Sequence, residues 1–212
     1  MNLLRIIFLN LIPCFKSTIT SFDSEAESID SDKEIKEQKE DEKNLVNLDI
    51  IKSINDSLST VLEENKKLSN YKEIILKQSK ICFSSNSIPS ITLYDYLIRI
   101  QKYANPEKNT LILSLIYIDR LCKLGNIVLT YYNIHRILFS AILLAIKYNE
   151  DDFFENNYYA DIAGIKALEL KFIEYNFFCI CEFNLYVNDD TFISYSRFLN
   201  KSDNNKERTK IS

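Results

Sequence analysis

TYYNIHRILFSAILLAIKYNE, residues 130–150, is the stretch on which the fold is read. From Ile137 to Ile146 it is apolar apart from Ser140. That run is too short to span a bilayer and too continuous for an ordinary amphipathic face, so it predicts a helix buried on nearly all sides. Ser140, Ala141 and Ala145 are small and let neighbouring helices approach closely. Thr130 is the expected N-cap, since its hydroxyl can accept from a free backbone N–H of the first turn. The run stops at Lys147, and Tyr148, Asn149, Glu150, Asp151 and Asp152 follow. A buried helix that carries one lysine to a polar end is the feature that asks for a function.

On either side of it the pattern is helical. Upstream, Leu48, Ile51, Ile54, Leu58, Val61, Leu62 and Leu68 recur at three- and four-residue steps and predict an amphipathic helix over 45–68. Tyr71 to Phe83 is less regular, and Ser87-Ile88-Pro89-Ser90 breaks the chain. Thr92 and Asp95 have capping-box spacing before a helix to Ala104, with Leu93, Tyr96, Leu97, Ile100 and Tyr103 on its apolar stripe. Asn109 is the expected cap of a helix over 110–124, and Gly125 its expected left-handed terminator. Downstream, a short helix over 158–163 ends at Gly164. The next, over 167–181, has two apolar sides. Leu168, Phe172 and Cys179 lie on one; Leu170, Ile173, Phe177 and Ile180 lie beside them; Glu174 sits in their midst. Residues 183–187 read as extended, and Asp189 or Asp190 as the cap of a last helix through Phe198.

The flanks differ in composition. Residues 1–22 form an apolar N-terminal segment with Arg5 and Lys16 as its only charges. Residues 1–15 fit a signal peptide, a membrane-surface helix or an apolar segment docked on the domain, and Cys14 lies at their end. Residues 23–44 carry ten acids against four lysines and read as an acidic disordered linker. Within it, Ser24 and Ser31 each have an acid three positions on. Residues 45–82 form a preceding helical segment, 83–200 the main domain, and 201–212 a loose charged tail.

Composition excludes several classes of function. The chain has two glycines, so it has no Gly-rich phosphate loop. Its single histidine, His135, has no Cys/His/Asp cluster around it in sequence. Asp151 and Asp152 are adjacent in a loop, without the contrasting environments that make an acid and a base. Five cysteines show no CxxC spacing and point to a reducing compartment. Net charge is −4 overall and −2 over 44–200, with no basic stretch, which argues against nucleic acid. The chain reads as a binding protein, not an enzyme, with no cofactor or metal.

The order of motifs resembles the cyclins. The string runs Pro89-Ser90-Ile91-Thr92, Tyr96-Leu97-Ile98-Arg99-Ile100, Tyr117-Ile118-Asp119-Arg120, Leu129-Thr130, Asn133 and His135-Arg136. It continues with Ala145-Ile146-Lys147, Asn157-Tyr158-Tyr159-Ala160, Gly164, Glu169-Leu170 and Glu174. It is most similar to the single-box P-type (P/U-type, phosphate-pathway) cyclins over about 83–199. The resemblance implies an all-α fold, a five-helix cyclin box with a preceding amphipathic helix and a short final helix. It implies a regulatory subunit that binds a cyclin-dependent protein kinase, in the cytoplasm and/or nucleus. Membrane association through residues 1–15 is the secondary reading of location. Family lysine and glutamate positions that contact the kinase fall on Lys147 and Glu174. Read from periodicity alone, Lys147 would pair with Glu150, and Glu174 would be solvated.

Three features depart from the family pattern. Ala163 replaces a frequent glycine, Lys166 a usual hydroxyl, and the helix-one substrate-docking motif is not evident. Thirteen residues follow Leu199, which leaves no room there for a second box. The competing function is a cyclin-fold adaptor or scaffold without a kinase; a DNA-binding cyclin fold is disfavoured by charge.

Overall fold

The structure is a computed structural model. It describes residues 32–208, with side chains described for 47–200. The apolar N-terminal segment with Cys14, and Ser24 and Ser31, lie outside the described residues. Those described fold into eight helices with no strand among them. They are α1 (Asp32–Lys66), α2 (Tyr71–Gln78), α3 (Leu93–Ala104), α4 (Lys108–Leu124), α5 (Ile134–Asn149), α6 (Asn156–Ala163), α7 (Ala167–Ile180) and α8 (Asp189–Arg208).

The apolar run at 137–146 is α5, and every residue from Ile137 to Ile146 is buried. It packs chiefly against α4 and α7. Helix α4 is central as well, because α1, α5 and α8 enclose it. Thr110 through Ile118 are all buried, so the helix is covered well beyond the stripe that periodicity assigned to it. Helices α3 to α7 are the five that the resemblance implies, with α1 laid across α3 and α4.

Helix α1 faces the core through Ile50, Ile51, Ile54, Leu58, Val61 and Leu62. Two buried asparagines flank this apolar stretch. Asn47 Nδ2 donates to the Pro106 carbonyl at 3.4 Å, and Asn65 Nδ2 to the Leu129 carbonyl at 2.9 Å. These bonds satisfy loop carbonyls that burial would otherwise strand. Leu68, expected on this stripe, is exposed beyond the helix end. Tyr103, expected on the α3 stripe, is exposed, and Ala104 takes the core position.

Several boundaries differ from expectation. Helix α1 begins at Asp32, so residues 32–44 are helix where the composition suggested a disordered linker. Glu, Lys and Gln are good helix formers and need no burial to adopt that backbone. Likewise α8 continues to Arg208, into the tail expected to be loose. Residues 71–78 form a short helix with none of its residues fully buried.

Helix ends follow the same chemistry with different residues. Asp95 N–H donates to Thr92 Oγ1 at 3.1 Å, as the capping spacing predicts. Helix α5 starts later than Thr130; Asn133 occupies its N-cap, and Asn133 Oδ1 closes the preceding turn by accepting from Thr130 N–H at 2.8 Å. Asn109 does not cap α4. Instead Glu150, across the bundle end, accepts from Glu107 N–H at 2.9 Å and Thr110 Oγ1 at 2.6 Å. Helix α8 is opened by Asn188, whose Oδ1 accepts from Thr191 N–H at 2.9 Å; Asp189 and Asp190 fill its first turn.

Gly164 ends α6 with φ 72°, as expected, but Gly125 has φ −81°. Gly125 is needed for closeness: a Cβ there would lie 2.9 Å from the Leu121 carbonyl and 3.0 Å from Ile180 Cγ2. Asn126 supplies the left-handed residue, with φ 48°. Phe183 is not extended either. It and Glu182 both have φ 56°, which turns the chain sharply at the end of α7.

Candidate partner-binding groove

Lys147 is in the last turn of α5, where an ammonium complements the negative end of the helix dipole. Glu174 is in the middle of α7. The packing of α5 on α7 brings Lys147 Nζ within 2.5 Å of Glu174 Oε1, although 27 residues separate them. Their side chains are 25% and 16% exposed. Asn156, the first residue of α6, completes the group. Its Oδ1 accepts from Lys147 Nζ at 2.7 Å, and its Nδ2 donates to Glu174 Oε2 at 3.0 Å. Lys147 therefore does not pair with Glu150, which is engaged at the start of α4, and Glu174 is not simply solvated.

Apolar side chains border this polar group. Leu144, Tyr148, Tyr175, Phe178 and Leu185 line a groove with Lys147 and Glu174. Along α7 the surface continues through Tyr175, Phe172 and Leu168, which are 62%, 59% and 80% exposed. Of the two apolar sides of α7, Leu170, Ile173 and Phe177 enter the core, while Leu168 and Phe172 face solvent. Phe153 and Phe154 flank Asn156 on the other side, also exposed. A contiguous exposed apolar surface beside a few fixed polar groups has the anatomy of an interface.

The groove wall formed by Leu185 is held from α4. Tyr117 OH donates to the Leu185 carbonyl at 2.9 Å. Arg120 Nη1 donates to the Asn184 carbonyl, and Nη2 to that of Tyr186 at 2.8 Å. The guanidinium also lies 5.8 Å from the Tyr117 ring centroid, where the cation meets the π face. Burial pushes the Tyr117 phenol well above its ordinary range, so it stays a donor. Glu182 and Phe183 hold their left-handed backbone because these bonds lock the chain just beyond them.

The remaining sequence candidates serve the fold. His135 Nε2 donates to the Ile91 carbonyl at 3.1 Å, and its ring lies 5.1 Å from that of Tyr96. Burial lowers its pKa, which favours the neutral ring. Arg136 bonds Glu169 at 2.5 Å and the Cys82 carbonyl at 3.1 Å, joining α5 to α7 and to the segment before α3. Arg99 donates to the Asp161 carbonyl at 2.8 Å. Asp151 and Asp152 are exposed. Cys82, Cys122, Cys179 and Cys181 are free. Among the described residues, no three or more His, Cys, Asp or Glu side chains gather to hold a metal.

Sequence reasoning missed Asn156, although it placed the neighbouring Asn157 in a motif. It also missed the exposure of one side of α7. The available signal was that α7 is apolar on two sides yet not central, so one side had to be left over.

A helical domain presenting an ion pair beside an exposed apolar strip has the surface anatomy of proteins that bind other proteins. The cyclin family model matches residues 10–185, and the chain belongs to the cyclin family. Within it the chain is a cyclin of the P/U type. It is 32% identical over 147 residues to Cyclin-U4-1 of Arabidopsis thaliana, covering 68% of this chain and 73% of that protein. It is 36% identical over 127 residues to PHO85 cyclin-like protein psl1 of Schizosaccharomyces pombe, covering 58% and 52%. To PHO85 cyclin-7 of Saccharomyces cerevisiae it is 33% identical over 134 residues, covering 57% and 47%. The match thus spans from about half to about three quarters of these relatives' own lengths.

Proposed function

We infer that this chain is the regulatory subunit of a cyclin-dependent protein kinase and itself catalyses no chemical step. The observation that carries this reading is the Lys147–Glu174 pair, ordered by Asn156 and bordered by exposed Leu168, Phe172 and Tyr175. The names of the yeast relatives support a kinase subunit of the PHO85 kind. The groove takes the kinase segment that leads into helix αC. Apolar side chains exclude water, and Lys147 and Glu174 hydrogen-bond that segment. Holding αC inward completes the kinase's Lys–Glu ion pair and frees its activation loop, so phosphoryl transfer proceeds on the kinase. The cytoplasm and/or nucleus, where such kinases act, is the proposed location. Among the described residues, no helix is long and apolar enough to cross a membrane.

The test is affinity purification of the tagged full-length chain, followed by titration of the purified partner. Recovery of a stoichiometric cyclin-dependent kinase whose activity changes on binding supports the reading. A stoichiometric partner that is not a kinase, with no kinase recovered, refutes it in favour of an adaptor.

A further inference from the structure

Asn156 touches both members of the proposed kinase-binding pair, and it does so from a third helix. Lys147 on α5, Asn156 on α6 and Glu174 on α7 close a ring of three hydrogen bonds at 2.5, 2.7 and 3.0 Å. The ring needs an acceptor facing the ammonium and a donor facing the carboxylate. Among short side chains only a carboxamide supplies both in fixed relative positions. It stands at the first position of α6, and its amide oxygen and nitrogen are both engaged in the ring. The ring uses two of the three ammonium protons and one bond on each carboxylate oxygen. One Lys147 N–H and the remaining Glu174 lone pairs stay free for a partner.

We propose that Asn156 is a positioning residue of the binding site. It orders Lys147 and Glu174 before the partner arrives, and makes no contact with the partner itself. This rests on the kinase-binding reading above and deepens it. A flexible lysine stem and a glutamate must otherwise be immobilised during binding, which lowers affinity. Loss of the amide therefore weakens binding about tenfold, equivalent to about 1.4 kcal/mol.

The experiment uses the full-length chain and the purified cyclin-dependent kinase that co-purifies with it. Asn156→Ala is expected to bind about tenfold more weakly, with a melting temperature lowered no further than that of Glu174→Ala. Asn156→Asp keeps the acceptor but sets a carboxylate against Glu174, and is expected to lose at least as much. In a Glu174→Ala background, Asn156→Ala is expected to cost less than about threefold, since residues of one network are not additive. Without any partner, NMR relaxation of the Lys147 ammonium is expected to report order in the parent and mobility in Asn156→Ala. Equal losses in both backgrounds, or a Lys147 ammonium as ordered without the amide as with it, overturns the proposal. Parent-like binding by both Asn156 variants, while Lys147→Ala and Glu174→Ala bind weakly, overturns this inference alone. Parent-like binding by Lys147→Ala and Glu174→Ala overturns the kinase-binding site and this inference with it.

Discussion

Replacing Glu174 by alanine separates what the ion pair does for the fold from its proposed part in binding. The pair is already formed in the free protein, so removing the carboxylate leaves the partly buried Lys147 ammonium without its charged partner. Exposed pairs contribute about 0–1 kcal/mol, and breaking a fully buried one costs about 3–5 kcal/mol. With side chains 25% and 16% exposed, this pair falls between, at roughly 1–2 kcal/mol. For a chain of this length, each kcal/mol moves the melting temperature by about 2–4 °C. Glu174→Ala should therefore melt about 2–8 °C lower. Truncating one member of a desolvated charged contact costs about 2–5 kcal/mol in binding, roughly 30-fold or more in affinity. The double variant Lys147→Met/Glu174→Leu removes both charges and fills the space with apolar atoms, which is often neutral or stabilising. It should recover the parent melting temperature to within about 2 °C. Its kinase affinity should stay as low as that of the single variant. Thermal melts by circular dichroism and calorimetric titration with the purified kinase give the two readings. A double variant that binds within about threefold of the parent would refute the reasoning, because the charges would then be structural only.

Gly125→Ala should destabilise by about 1–3 kcal/mol, because the new methyl meets a backbone carbonyl that has no room to yield; an unchanged denaturant midpoint would contradict this. His135 makes stability depend on pH: burial lowers its folded pKa below the unfolded value near 6.5, so the unfolded chain binds more protons between the two values. That contribution is present above the unfolded value and is lost as pH falls through the folded one, by at most about 1.4 kcal/mol per pH unit. Between pH 7.5 and 5 the parent should lose more melting temperature than His135→Gln, and equal slopes would count against it. A fragment of residues 45–200 should unfold cooperatively as a helical domain, while deletion of residues 1–22 should leave kinase affinity within about twofold. A molten fragment, or a large loss of affinity, would show that the N-terminal region belongs to the folded unit.

Local patterns in the sequence determined much of the fold. Three- and four-residue apolar spacing located the main helices, since a helix face is written in that period. Thr92 with Asp95, and Gly164, marked ends whose chemistry is complete within a few residues. The family motifs pointed to Lys147 and Glu174. Other ends were decided partly by distant neighbours: Glu150 caps α4 from 43 residues away, and Gly125 is held close to Ile180 of another helix as well as to its own Leu121 carbonyl. The same holds for the site. A periodic pattern says that α7 has two apolar sides, but not which one finds a partner within the chain. Packing against α4, α5 and α6 took Leu170, Ile173 and Phe177 into the core and left Leu168 and Phe172 in solvent. The meeting of Lys147, Asn156 and Glu174 has no local signature, because it is fixed by how α5, α6 and α7 cross. Only the tertiary structure turned three ordinary polar residues into one ordered group.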